Sequence, residues 1–131
     1  MSGEVVLVNL PYRRTGMGAR TEYIIFSDAG IPIKHKDLIL SRTGNHGEYL
    51  FELELNKTYY MVKLNVSNSG KRTLKVSRIA IDHAGNIKNT DTWDIIDDYE
   101  KTYMTDADIL KLPIPETVKD LLINFYQEVI W

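Results

Sequence analysis

Cysteine is absent from the chain, which excludes disulfides, thiolate metal sites, iron–sulfur clusters and a cysteine nucleophile. Only four prolines and two tryptophans occur. No apolar run approaches the ~20 residues that cross a bilayer, so no membrane span is expected. The opening Met-Ser-Gly-Glu-Val-Val lacks the basic start and long apolar core of a secretion signal. A soluble protein of the cytoplasm or of a virion is therefore expected. What is present is ordinary for a globular domain: 131 residues, 44% hydrophobic and 26% charged. That length reads as a single domain with one chain-wide fold.

The net charge of −2 conceals a division. Residues 1–90 carry 13 Lys/Arg against 8 Asp/Glu, while residues 91–131 carry 3 against 10. A basic surface and an acidic surface follow. Two arrangements satisfy them: neutralisation within one molecule, or pairing between molecules.

The basic part reads as strands. Val5–Leu10 and Glu22–Phe26 are short apolar runs, stopped by Pro11 and by Ser27-Asp28-Ala29-Gly30. Phe51, Leu53 and Leu55 alternate with Glu52 and Glu54, the pattern of a half-buried strand. Along 59–66, Tyr60, Val62, Leu64 and Val66 share one face. Ser67-Asn68-Ser69-Gly70 is a turn, and residues 74–81 return. The return strand changes parity between Leu74/Val76 and Ile79/Ile81, which predicts a bulge or bend near Ser77-Arg78.

The acidic part reads as helix-rich. Trp93, Ile96, Tyr99 and Tyr103 recur at three- and four-residue steps, which favours a helix over a strand at 93–96. Thr105-Asp106-Ala107-Asp108 is a capping-box start for a short helix, ended by Pro113. Pro115 and Glu116 open a final helix to about Val129. In that helix Val118, Leu121, Leu122, Phe125 and Val129 fall within about 100° of arc, and Ile123, Tyr126 and Ile130 widen it to about 200°.

Residues 59–82, from Tyr-Tyr-Met-Val-Lys-Leu-Asn-Val-Ser-Asn-Ser-Gly to Ile-Ala-Ile-Asp, resemble the paired strands of small immunoglobulin-like sandwich modules. Those of archaeal surface filaments and adhesion proteins are the most similar. The resemblance implies a β-sandwich with a binding or structural role and no catalytic residue. The chain lacks the apolar N-terminal helix of the filament proteins and adds a helical C-terminus.

The chemistry-bearing residues are few. His35, His46 and His83 lack the spacing of a paired metal site, and no metal or cofactor is expected. Asp91, Asp94 and Asp98 would line one solvated face of a helix, with no calcium-loop motif around them. The best ligand candidate is the stretch 12–20, where Tyr12, Arg13, Arg14 and Arg20 accompany two glycines. Guanidinium forks and an aromatic face suit phosphates or an acidic protein surface. The stretch lacks the lysine and spacing of a nucleotide-binding P-loop. The second candidate surface is Ile123, Tyr126, Ile130 and Trp131, an apolar stripe wider than one sheet face needs.

These readings combine into an α+β fold, an antiparallel β-sandwich of immunoglobulin-like or jelly-roll-like type followed by C-terminal helices. The function expected first is non-enzymatic: a structural or partner-binding module, a homo-oligomer or a protein's partner, of viral or surface-filament kind. A nucleic-acid-binding accessory protein using the 12–20 loop, with Lys71, Arg72 and Lys75, ranks second. A small enzyme with an acidic site ranks third.

Overall fold

The computed structural model describes the backbone of residues 4–130 and the side chains of residues 4–124. Nine strands are described: β1 (Val5–Arg14), β2 (Arg20–Ser27), β3 (Pro32–Ile33), β4 (Asp37–Leu40), β5 (His46–Glu54), β6 (Tyr59–Val66), β7 (Arg72–Ile81), β8 (Ile87–Asp97) and β9 (Thr102–Tyr103). Two helices follow, α1 (Asp106–Leu110) and α2 (Glu116–Ile130). The strands form one antiparallel network in the order β4-β5-β1-β2-β6-β7-β8-β9, with β3 beside β2. The α+β class and the sandwich-like sheet expected from the sequence are what the chain forms.

The sandwich arises because β1 pairs with β2 only at Arg13↔Thr21 and Arg14↔Arg20. Below that tip the two strands part. β1 pairs along its length with β5, and β2 pairs along its length with β6. The sheet thus divides into β4-β5-β1 and β2-β6-β7-β8-β9, joined at the β1–β2 hairpin. A hydrophobic cluster lies between them, with Val8, Leu10, Phe51 and Leu53 meeting Ile25, Met61, Ile79 and Ile81. A second cluster lies on the other face of β2, β6, β7 and β8, where Val62, Leu64, Leu74 and Val76 meet Ile109, Val118 and Leu122 of the helices. The layers are strand, strand and helix.

This explains the parity change in β7. Its ladder with β6 is unbroken from Val66↔Arg72 to Tyr59↔Ile79. Leu74 and Val76 belong to the helix-side cluster, Ile79 and Ile81 to the inter-sheet cluster. The strand is buried on opposite faces in its two halves, so no bulge near Ser77 is needed in β7. The irregularities lie across from it, where the β7–β8 register shifts between Leu74/Lys75 and between Arg78/Ile79.

The helix expected around residues 90–103 is replaced by β8, the turn after it and β9. The three-residue step from Trp93 to Ile96 has a different origin. Leu74 pairs with Ile96 and Lys75 with Asp94, so Ile95 is an extra residue on β8. A bulge of this kind brings side chains of both parities to one face. Trp93, Ile95 and Ile96 all join the helix-side cluster as a result. A bulged strand and a helix leave the same apolar spacing here.

Pro11 does not end β1, which continues to Arg14. At Pro11 the strand has a partner on one side alone, β5, and a strand tolerates a residue without an N–H there. The helical end follows the capping signals. The Thr105 side chain accepts from the Asp108 N–H, and the Asp108 carboxylate accepts from the Thr105 N–H. The Lys119 ammonium donates to the Leu110 carbonyl at 2.7 Å, closing the C-terminus of α1. The Thr117 hydroxyl donates to the Gly30 carbonyl at 2.6 Å and fixes the start of α2 against the β2–β3 turn.

Candidate partner-binding site

The arginines lie at the end of the sandwich where β1 turns into β2. Thr15 N–H donates to the Ala19 carbonyl at 2.8 Å and Gly18 N–H to the Thr15 carbonyl at 3.2 Å, closing a tight loop. Gly18 has φ +89°, the left-handed region that a residue without a Cβ enters cheaply. The β4–β5 turn comes alongside, because β1 pairs with β5. The Arg14 N–H donates to the Asn45 carbonyl at 2.9 Å and ties the two turns together. Between them opens a cleft of about 450 Å³, lined by Arg14, Arg20, Gly16, Gly18, Gly44 and Asn45.

Charge at this end is weakly compensated. Arg14 and Arg20 stand directly opposite each other across the hairpin, a like-charge pairing that destabilises a strand ladder. Arg20 Nε lies 4.0 Å from Glu22 Oε2 with both side chains over a third exposed, a pairing worth little in water. Arg13 and Arg14 are exposed and have no ion pair with any described carboxylate, and the same holds for Arg42 in the β4–β5 turn. Arg42 was not singled out by sequence reasoning. Its neighbourhood depends on the β1–β5 pairing between distant segments.

Tyr12 does not serve this cleft. Its ring packs edge-on against Tyr49, 5.5 Å between centroids, at the border of the inter-sheet cluster. Alternation along β1 sends residue 12 inward with Val8 and Leu10. The aromatic face that single-stranded nucleic acid would stack on is thereby absent from the 12–20 stretch as a neighbour of its arginines.

The acidic segment is partly consumed inside the molecule. Arg78 pairs with Asp91, Lys75 with Asp94 at 3.7 Å and Arg72 with Asp98 at 3.2 Å, all across β7 and β8 or just beyond. Asp98 also accepts from the Tyr103 hydroxyl at 2.6 Å and from the Arg72 N–H at 2.7 Å. Burial works against the charge of Asp98, yet these hydrogen bonds and the guanidinium outweigh it and hold its pKa below the ordinary 3.8. The solvated helical face proposed for Asp91, Asp94 and Asp98 is therefore a strand-to-strand row of ion pairs. Lys71 caps the Tyr99 ring at 5.1 Å. Exposed acids remain at Glu100, Asp106 and Asp120, and at Glu116, which has Lys119 at 3.4 Å.

The histidines do not converge. All three are exposed: His35 beside Tyr49, 5.2 Å between ring centroids, His46 at the start of β5 and His83 in the turn after β7. Among the described residues no group of three His, Cys, Asp or Glu side chains is placed to hold a metal ion. Of the apolar stripe, Ile123 is half-buried and packs on the helix-side cluster. The side chains of Tyr126 and Ile130, and all of Trp131, lie outside the described residues. Among the described residues no helix is long and apolar enough to cross a membrane.

The fold and the site together define an α+β protein of layered antiparallel strands with an arginine-rich loop end. The chain matches no protein-family model, no curated protein and no solved structure.

Proposed function

We propose that the protein is a non-enzymatic binding module that associates with further copies of itself through its arginine-rich end. The observation that carries this reading is the trio Arg13, Arg14 and Arg42, exposed at the end of β1 and on the neighbouring β4–β5 turn without a carboxylate partner among the described residues. The complementary charge is carried by the chain's own helical segment, at Asp106, Glu116 and Asp120. Such a contact joins two different surfaces, so copies add head to tail into rings or open filaments. The resemblance of residues 59–82 to filament sandwich modules supports the same role, since those residues form the β6–β7 hairpin at the centre of the sheet. Tyr12, packed edge-on against Tyr49 at the border of the inter-sheet cluster, weakens a nucleic-acid reading of the same loop.

Light scattering on a sizing column, at about 50 and 500 mM salt, tests the proposal. Exposed charge pairs are screened over about 10 Å at 0.1 M and less at higher salt. The mass should exceed that of one chain at low salt and fall at high salt. Replacing Arg13, Arg14 and Arg42 with Ala should give the one-chain mass at both salts with an unchanged melting temperature. One-chain mass for the unaltered protein at low salt would refute self-association. Retention of labelled DNA or RNA, lost in the triple variant, would move the arginines to the nucleic-acid reading.

A further inference from the structure

The concave face between the two sheet layers carries a second basic feature, independent of the arginine turns. β6 and β7 place Lys63 directly opposite Lys75. Two like charges at one register position cost a strand pair stability. Neither is matched by a strong counter-charge. Lys63 has the Tyr23 ring at 5.7 Å, and Lys75 has Asp94 at 3.7 Å with both of those side chains about half exposed. An ion pair so exposed contributes little.

The lysines wall a groove of about 480 Å³. That volume lies within the range of small-molecule sites. Ser77, Thr92 and Asn89 stand beside the lysines, and Leu10, Met61 and Ile87 supply apolar surface. The Ser77 and Thr92 hydroxyls lie 3.1 Å apart and share one hydrogen bond. One hydroxyl spends its hydrogen in that bond and the other keeps its own, so a ligand would meet acceptor capacity on both and a donor on one.

The second register shift of β8 completes the groove. Arg78 pairs with Asp91 and Ile79 with Asn89, which leaves Thr90 extra. Residues 89 and 92 would face opposite sides of a regular strand. The bulge at Thr90, anchored by its hydroxyl donating to the Arg78 carbonyl at 3.1 Å, lets both line the same groove. Bulges that re-aim side chains recur next to binding sites.

We propose that this groove binds a small phosphate monoester, its phosphate between the Lys63 and Lys75 ammonium groups and its organic body against Leu10, Met61 and Ile87. Two ammonium groups match a dianion, and a bound dianion removes their mutual repulsion. The hydroxyl and amide groups at 77, 92 and 89 are in reach of the ester's polar atoms.

Calorimetry with phenyl phosphate, inorganic phosphate and phenol at low salt reads this directly. Phenyl phosphate should bind one per chain, more tightly than either fragment. Lys63→Met and Lys75→Met should each weaken it tenfold or more. Without ligand both variants should melt at the same temperature as the unaltered protein or higher, because one of two opposed charges is gone. Arg14→Ala with Arg20→Ala should leave the affinity unchanged. Absence of saturable binding up to millimolar concentration overturns the proposal. So does binding that survives Lys63→Met, or binding that disappears with the two arginines, which would put the phosphate in the cleft between the turns.

Discussion

The two hydrophobic clusters share the strands β2, β6 and β7 but differ in what covers them. On the helix side, Val62, Leu64, Leu74 and Val76 meet a bulged strand and two helices, and the lining is mainly aliphatic. Between the sheets, Tyr59, Met61, Ile79 and Ile81 meet Tyr49, Phe51 and Leu53 of the facing strands, with the Tyr12 and Tyr23 rings at the border. On β7 they occupy successive lengths, whereas on β2 and β6 they lie on opposite faces of one stretch. That is why β7 is apolar on one parity in its first half and on the other in its second. A central strand that serves two cores in turn leaves a signature that alternation rules assign to a bulge. The contrast teaches that parity changes need the partner layers before they can be interpreted.

The largest expected effects come from opening a cavity in either cluster. Phe51, 1% exposed, should cost about 3–5 kcal/mol as Phe51→Ala, and Leu64, 2% exposed, about 2–5 kcal/mol as Leu64→Ala. If the clusters are separate, the double variant should lose the sum to within about 0.5 kcal/mol in denaturant unfolding. A large departure from additivity would show that the two cores act as one.

Gly30 distinguishes the clusters next. It has φ +79°, and a Cβ there would meet the Thr117 hydroxyl at 2.2 Å. Gly30→Ala should loosen α2 from the sheet at a cost of about 1–3 kcal/mol, the range for a residue held in a disfavoured backbone region. Hydrogen exchange should rise in α2 and stay low in β1 and β5. Uniform change across both faces would contradict the division.

The polar row at the β8 end is expected to matter less and to depend on pH. Asp98 has a lowered pKa in the folded chain. Its contribution is therefore fully present above the unfolded value and is lost as pH falls through the folded one. Melting temperature should decline on acidification below about pH 4, the ordinary carboxylate range. Asp98→Asn should flatten part of that decline and cost about 1–3 kcal/mol at neutral pH. The smallest effect belongs to Lys75 and Asp94, where Asp94→Asn should change stability by less than about 1 kcal/mol.

Much of this architecture was legible in local pattern. The alternation of Phe51, Leu53 and Leu55, the turn at Ser67-Asn68-Ser69-Gly70 and the capping box at Thr105 all depend on neighbours in the chain, and all stand in the fold. The strand character of 87–97 was hidden, because the extra Ile95 converts a two-residue period into a three-residue step. The arginine stretch was legible as charge and glycine. Arg42 and the Gly44-Asn45 wall were not, since β1–β5 pairing brings residue 14 to residue 45. Nor was the Lys63–Lys75 opposition, because register is a property of two strands rather than one.

Complementary charge reversal tests head-to-tail association most directly. One variant carries Arg13→Glu, Arg14→Glu and Arg42→Glu; the other carries Asp106→Lys, Glu116→Lys and Asp120→Lys. Sedimentation velocity at low salt should find each variant alone at the one-chain mass, and an equimolar mixture at twice that mass or more. A mixture that stays at one chain, or variants that assemble as the unaltered protein does, would contradict an arginine-rich end docking on the acidic helical face.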